Sequence, residues 1–496
     1  MRKTMVGILF IAALPLSAGV ADDAEVKGAE RLFESWILGQ IAYRNLPGVA
    51  VGVVHDQDLV WAKGFGYADV ESRKPMTPAT LFRMASHSKL FTATAIMQLR
   101  DAGKVHLDDP VSTYLPWFRV QPAIADDPGI TIEELLTHSS GLPREAGAHW
   151  TELSFPDAEG IQSFIRSHAA AYPPEVRFKY SNLAFTIAGM VVEAVSGEKW
   201  ADYVQHHIFD PLGMNASSVD KDLSAIATGY GKRMPDGSRA KMPFVDARAM
   251  APATGITSNV EDMARFVSCQ FRTGKPGGSQ ILSTGALRIM HRVRMLENNW
   301  QSGNAIGFAV RREHDKIYVG HGGSYFGYKT QTYMQIEPKV GVIVLTNGDD
   351  SNPADIALHL MESVGEAVAK AGSGPATTVS WDPSWSRFSG TYRSRVGGEV
   401  EVIELNQRLV TIEPSGPFPE HPTQLVPLGN GLFRLEAVTG GGPVGETVLF
   451  RGGRQSHAHV HRRQLCRTRN GGKIGRKPSC LPQNWQIVLN IAELLE

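Results

Sequence analysis

The distance between two groups of strand-like segments limits this chain more than any other feature. Val49–Val54 and Leu59–Ala62 flank the polar turn His55-Asp56-Gln57-Asp58 and read as a strand pair. Far downstream, Ile306–Arg312, Lys316–Val319, Lys329–Gln335 and Val340–Thr346 read as an antiparallel meander. The two groups must join into one sheet, with helices from both ends packed on it. Leu32, Phe33, Trp36, Ile37 and Ile41 mark one such helix before Pro47-Gly48, and Ile356, Leu358, Met361 and Val364 mark another within Pro353–Lys370. A third helical pattern runs from Ser86 to Ala102, with Leu90, Ala93, Ile96 and Met97 on its apolar face and Gly103 at its end. Residues 104–300, with many Pro and Gly, would cover the other side as a large insertion of loops and short helices. The expected class is α+β. No Gly-rich phosphate loop stands where a doubly wound nucleotide fold would need one.

Small residues from Ala371 to Thr378 mark a linker. Beyond it Glu399–Val402 alternates strictly, and Leu409–Ile412, Leu425–Leu428, Leu432–Leu435 and Thr447–Phe450 follow with Gly or Pro between them, predicting a small all-β barrel. The domains are therefore 22–370, a linker 371–386, a barrel 387–456 and a basic tail 457–496. Residues 451–480 hold nine Arg or Lys and no acid, which reads as a solvated tail, with weak adhesion to an anionic envelope as the functional alternative. His457, His459 and His461 alternate there, but Arg462 and Arg463 stand beside them with no carboxylate, so no metal site is expected.

At the other end Arg2-Lys3, the apolar stretch Met5–Leu16 and the small residues Gly19-Val20-Ala21 form an export signal over residues 1–21, too short to span a bilayer. The mature chain would be periplasmic or secreted, with no integral membrane segment. An oxidising compartment would permit Cys466 and Cys480 to pair, whereas Cys269 reads as a buried packing residue. With 50 Lys+Arg against 50 Asp+Glu, no net field draws a polyanion, and nucleic acid is not an expected partner.

Three short motifs carry possible chemistry. Ser86-His87-Ser88-Lys89 sits at a helix start, where a three-residue step places Lys89 one turn from Ser86 on the same face. A serine hydroxyl is unreactive at neutral pH unless a base takes its proton, and a desolvated lysine can be that base. Lys179-Tyr180-Ser181-Asn182 precedes the helix Leu183–Val195 and adds a phenol, whose pKa adjacent cations would lower, and an amide. Gly320-His321-Gly322-Gly323-Ser324 follows the strand Lys316–Val319, and its glycines let a substrate backbone approach. His138 beside Ser139 and Ser140 is a rival dyad, but adjacent residues seldom face each other and the following Gly141-Leu142-Pro143 implies a structural turn. No Gly-x-Ser-x-Gly elbow argues for an α/β-hydrolase.

Taken in order along the chain, Ser86-x-x-Lys89, Tyr180-x-Asn182 and His321-Gly322-Gly323 resemble the serine β-lactamase and penicillin-binding superfamily, in its class C-like branch. Leu135–Pro143, Asp108–Val111 and Pro252–Ile256 are similar to further signatures of that branch, and the resemblance covers residues 28–370. It implies a β-lactamase-like sheet flanked by helices, and the C-terminal barrel is similar to the lipocalin-like extensions of such hydrolases. It further implies Ser86 as acylated nucleophile, Lys89 as its activator, Tyr180 as proton shuttle and Asn182 as a substrate-positioning group. The backbone N–H groups of Ser86 and Ser324 would form the oxyanion hole, and no cofactor is implied.

His321 stands where the antibiotic-hydrolysing members carry lysine, and Gly322 lacks their hydroxyl, so the resemblance argues against efficient β-lactam turnover. A histidine version is similar to family esterases and D-amino-acid peptidases, including a peptidase that cuts linearised microcystin. The expectation is an exported serine hydrolase of amide or peptide bonds in a small-molecule or short-peptide substrate. A carboxylesterase, a slow-turnover penicillin-binding sensor, a weak β-lactamase and an envelope-adhesion protein with a residual pocket remain alternatives.

Overall fold

The computed structural model describes residues 19–120, 129–219, 226–272, 280–313 and 316–373, and, beyond a break, 381–394, 399–405, 407–412, 423–436, 445–452, 464–468 and 485–490. The chain divides into two compact units, Met1–Gly374 and Pro375–Glu496. The segment expected to be an export signal, residues 1–21, lies outside the described residues except for its last three positions.

In the first unit the strands from both ends do meet. The helix α1 (Ala24–Arg44) leads into β1 (Gly48–His55), β2 (Asp58–Asp69) and the short β3 (Lys74–Pro75). The later strands are β4 (Met295–Leu296), β5 (Ser302–Asn304), β6 (Ala309–Glu313), β7 (Lys316–Tyr325), β8 (Tyr328–Gln335) and β9 (Val340–Thr346). They form one nine-stranded sheet in the order β3-β2-β1-β9-β8-β7-β6-β5-β4. The decisive seam is β1 against β9, antiparallel, with Val49 opposite Thr346 and Val53 opposite Val342.

Both central strands are apolar on both faces, and strand alternation sends neighbouring residues into different cores. Val49, Val51 and Val53, with Val342 and Val344, pack against Phe33 and Ile37 of α1 and against Ile356, Leu360 and Val364. The last three belong to the C-terminal helical stretch, Pro353–Leu360 continuing through a wide turn Met361–Gly365 to Glu366–Gly372. Ala50, Val54, Ile343 and Leu345 face the other core, with Val260, Met263, Phe266 and Val267 of the helix Val260–Gln270. That helix lies so close that a Cβ on Gly52 would come within 2.5 Å of Val260, and one on Gly341 within 2.4 Å of Val267. Each fully buried aliphatic side chain contributes about 1.5–3 kcal/mol, so the seam is held mainly from its two faces. Cys269, on the same helix, is buried and free.

The helix α2 (Ser88–Asp101) buries eleven of its fourteen residues. It is a core helix enclosed on all sides rather than the one-faced helix that the spacing suggested, because the insertion folds over its second face. The helix α3 (Asn182–Ser196) packs on it, begun by the Ser181 side chain accepting from Ala184 N–H and ended by Gly197 in the left-handed conformation.

One strand boundary differs from expectation. The segment His321–Ser324 does not follow its strand but lies within it: β7 stays paired with β8 through Tyr325, with His321 opposite Thr332 and Gly323 opposite Thr330. Its other neighbour, β6, pairs only as far as Gly320. The glycines continue the strand rather than end it, because they let the backbone run flush against the Ser86 turn.

The second unit is a closed antiparallel barrel of Gly390–Ser394, Glu399–Leu405, Arg408–Ile412, Thr423–Gly429, Leu432–Glu436, Thr447–Gly452, Trp485–Asn490 and Gln464–Thr468, in that spatial order. Its core is Phe388, Tyr392, Val402, Leu409, Leu425, Phe433, Leu435, Val448 and Phe450. Trp381 and Trp385 pack on that core, so part of the expected linker belongs to the barrel. The last two strands fall inside the segment expected to be a tail; closure needs them, since without them the first and sixth strands would be open edges. Cys466 lies on one of them, while Cys480 and the histidines at 457, 459 and 461 lie outside the described residues. Among the described residues no helix is long and apolar enough to cross a membrane.

Candidate active site

Ser86 occupies a 3-10 turn, Ala85–His87, just before α2. Ala85 takes a positive φ of 53°, a conformation that L-residues adopt at a cost and that persists only when the surroundings hold it. They do so here. Met84 N–H donates to the Ile256 carbonyl at 2.8 Å, and the Ser88 hydroxyl donates to the Ala85 carbonyl at 2.8 Å while accepting from Ile256 N–H at 3.0 Å. The side chain of His87 is buried between Thr330 Oγ1 at 3.0 Å and Thr332 Oγ1 at 3.1 Å, which ties the turn to β8.

Two of the expected residues, Lys89 and Tyr180, converge on the Ser86 hydroxyl, and a third, Asn182, holds Lys89. Lys89 Nζ lies 3.1 Å from Ser86 Oγ, and the Tyr180 phenol lies 2.8 Å from the same atom. Lys89 also donates to Asn182 Oδ1 at 2.7 Å and to the Ala253 carbonyl at 2.9 Å. Its ammonium is wholly buried, and this burial holds its pKa well below the usual lysine range. Nearby Glu145 works against that shift and Arg144 with it.

Tyr180 behaves differently from expectation. Burial pushes its phenol up to about 12, outweighing the hydrogen bond to Ser86 and the Arg144 guanidinium 4.9 Å over its ring. Tyr180 is therefore a neutral phenol at neutral pH.

The other wall is β7. A Cβ on Gly323 would fall within 2.4 Å of the Met84 carbonyl and 2.3 Å of Thr330 Oγ1, so only glycine lets this strand lie against the Ser86 turn. His321, Gly322 and Ser324 stand on the same run of strand. The His321 ring lies 6.1 Å from that of His87 and 6.5 Å from that of Tyr180. Burial first, then the charge of Lys89, brings His321 down to about 4. The neutral ring must carry its proton on Nδ1, which donates to the Gly322 carbonyl at 2.6 Å.

The rival dyad does not form. His138 Nδ1 accepts from Ser181 N–H at 3.1 Å, its ring lies 4.2 Å from that of Tyr180, and Ser139 Oγ bonds Thr137 Oγ1 at 2.8 Å. His138 is a buried neutral platform behind the phenol.

A family model described as Beta-lactamase matches residues 33–364. The chain belongs to the β-lactamase family. Penicillin-binding protein 4* of Bacillus subtilis is 24% identical over 376 residues, covering 71% of this chain and 80% of that protein. A D-aminopeptidase of Cereibacter sphaeroides is 25% identical over 377 residues, covering 72% of this chain and 67% of that protein. Among solved structures, the octameric penicillin-binding protein homologue from Pyrococcus abyssi matches with a TM-score of 0.61 at 25% identity, covering 92% of this chain and 99% of that one. As a member of the β-lactamase family with such relatives, the chain is a serine hydrolase of amide or ester bonds.

Sequence reasoning missed three residues of this site. Glu145 accepts from Asn182 Nδ2 at 2.6 Å and from His149 Nε2 at 2.9 Å, and Arg144 Nε lies 3.3 Å from its first oxygen. The run Gly141-Leu142-Pro143 was read as a structural turn, and the charged pair Arg144-Glu145 directly after it was the available signal. Among the described residues no cluster of three His, Cys, Asp or Glu is arranged to hold a metal.

Proposed function

We propose that this hydrolase is exported and cleaves amide bonds of short linear peptides, those with D-configured or unusual residues included, through an acyl-enzyme on Ser86. One observation carries the mechanism: the Ser86 hydroxyl has a desolvated lysine on one side and a neutral phenol on the other. The Ser86 proton passes to Lys89 Nζ as Oγ bonds the substrate carbonyl carbon and the carbonyl electron pair moves to oxygen. Backbone N–H groups of Ser86 and Ser324 are assigned to that oxyanion. As the tetrahedral species collapses the C–N bond breaks, the leaving nitrogen takes the Tyr180 proton, and the phenol is refilled from Lys89. Water then attacks the Ser86 ester, giving up a proton through Tyr180 and Lys89, and the acid leaves as Ser86 regains its hydrogen.

Substrate class follows from the β7 wall. From His321 onward that strand has no partner on the β6 side among the described residues, which suits an extended peptide laid along it. The neutral His321 offers no permanent cation to a carboxylate next to the scissile bond, which favours amides and esters over β-lactams. The similarity to a D-aminopeptidase supports the D-peptide reading. The same neutrality favours a carboxylesterase as the second reading. Export is supported by Asp23, whose carboxylate caps α1 at Glu25 and Val26, so that cleavage after Ala21 leaves the cap in place.

The test is fluorophosphonate labelling followed by a panel of D-residue and linear peptides, short esters and cephalosporins. Labelling confined to Ser86, with fastest turnover of the peptides, is the expected result. A persistent penicilloyl adduct would replace the enzyme with a sensor, and ester turnover without peptide cleavage would favour the second reading.

A further inference from the structure

The structure assigns Glu145 as a positioning residue that sets which way the Asn182 amide faces and thereby aims the lone pair of Lys89 at Ser86. The assignment rests on the reading of Ser86 as nucleophile and Lys89 as its base.

Lys89 Nζ has three polar neighbours: Ser86 Oγ, Asn182 Oδ1 and the Ala253 carbonyl. Two of these oxygens, on the amide and on the backbone, can only accept. In a neutral amine they take both N–H bonds, and the remaining direction, the lone pair, points at the serine hydroxyl. Everything then depends on Asn182 presenting oxygen rather than nitrogen to the amine. A flipped amide would turn an N–H donor toward Nζ, and the lone pair would accept from it instead of from Ser86.

Glu145 removes that freedom. An ionised carboxylate is acceptor-only, so its 2.6 Å contact with Asn182 fits Nδ2 and excludes Oδ1. The carboxylate is itself held. His149, buried, donates from Nε2 to the second oxygen at 2.9 Å and is packed against Phe155 at 4.5 Å between ring centres. The backbone closes the arrangement, since Asn182 N–H donates to the Arg144 carbonyl at 2.8 Å. Ser86, Lys89 and Asn182 thus donate in sequence toward Glu145, and His149 donates to the carboxylate from its other side.

Charge gives a second signature. Around Lys89 stand His87, neutral at neutral pH, from the turn before α2, Tyr180 and the Arg144–Glu145 pair from the loops before α3, His138 from the loop behind them, and His321 from β7. Tyr180, His138 and His321 are neutral at neutral pH, leaving Glu145 and Arg144 as the opposed charges. Removing the negative charge should stabilise the neutral amine, and removing the positive charge should do the reverse.

The experiment compares the intact chain with Glu145→Gln, Glu145→Ala and Arg144→Gln, measuring fluorophosphonate acylation rates, the pH dependence of kcat/KM on a p-nitrophenyl ester, and Tm. Glu145→Gln keeps the shape but lets both amides flip. It should slow acylation by about 10–100-fold, the scale expected for a misdirected catalytic group. The acid limb of its pH profile should move to lower pH, whereas that of Arg144→Gln should move to higher pH. Glu145→Ala should slow acylation at least as much. Wild-type acylation with an unmoved limb in Glu145→Gln would overturn the assignment. So would a loss of activity that only tracks a fall in Tm with the profile unchanged. Failure to label Ser86 in the wild-type chain would instead remove the underlying reading, and the assignment with it.

Discussion

The two walls of the site are built from different materials. On the α2–α3 side every group that touches the Ser86 hydroxyl is a polar side chain with a fixed partner, from Lys89 and Tyr180 back to Asn182 and Glu145. On the β7 side the contact with the Ser86 turn is backbone and glycine, and the one ionisable side chain, His321, is neutral and bonded to its own strand. In the proposed mechanism the first wall carries the proton transfers, where a lost atom costs rate. The second is proposed to receive the substrate, where a changed side chain would alter which molecule is accepted. Differences between members of one fold family belong on the second wall.

The largest effects should therefore come from the first wall. Ser86→Ala should lower kcat/KM by about 10⁴-fold or more and abolish fluorophosphonate labelling, because the remaining groups act only through that oxygen. Ser139→Ala should still be labelled, since its hydroxyl is engaged with Thr137 away from the cluster. Labelling that survives in Ser86→Ala would dissolve the distinction between the walls. Tyr180→Phe comes next, with an expected loss of roughly 10²–10⁴-fold in turnover, the range for an acid–base group. Because the phenol is neutral well beyond neutral pH, the wild-type rate should rise with pH through the depressed Lys89 ionisation and then hold a plateau to alkaline pH. A basic limb near neutrality would contradict the protonated phenol.

How much of this was legible in the chain depends on the reach of each contact. Ser86 and Lys89 are one helical step apart, so their meeting is local and can be read from spacing. The joining of the end strands was legible as well, because apolar runs with unpaired edges have few places to go. Glu145 was not, since its partner Asn182 is 37 residues away and only the folded insertion brings them together. The two threonines around His87 are 243 and 245 residues distant. The direction of the Tyr180 shift was missed for a related reason. It follows from how completely Tyr180 itself is buried, a property of the whole core rather than of any motif. The β7 motif was seen but placed after its strand, because a glycine run carries no side-chain pattern to betray pairing.

The second wall should respond in specificity. His321→Lys restores a permanent cation, and hydrogen bonds to charged groups contribute about 1.5–3 kcal/mol, so acylation by a carboxylate-bearing cephalosporin should rise roughly 10–100-fold relative to a neutral ester. Competition labelling with the two ligands reads this ratio directly. An unchanged ratio with intact ester turnover would mean that His321 does not face the substrate carboxylate position, and the wall would have to be redrawn around Ser324.

The smallest effect belongs to the junction between the walls, at His87. Burial, with help from His321 and Lys89, brings its pKa down to about 3, below the value of about 6.5 that an unfolded histidine has. Between those values the unfolded chain binds a proton that the folded chain does not, so stability is highest above about pH 6.5 and falls as pH drops toward 3, by at most about 1.4 kcal/mol per unit from this residue. His87→Gln keeps a donor and an acceptor for Thr330 and Thr332 but cannot take up that proton. It should cost about 1 kcal/mol at pH 7, because both hydroxyls retain other contacts, Thr330 with the Met84 carbonyl at 3.3 Å and Thr332 with the His321 carbonyl at 3.4 Å. In exchange its stability should fall less steeply between pH 6.5 and pH 4.5 than that of the wild type, with His321 and His138 still contributing to the remaining slope. Urea denaturation at three pH values measures both quantities. A parallel pair of curves would mean that the two walls are clamped together by packing around His87 rather than by its neutral ring.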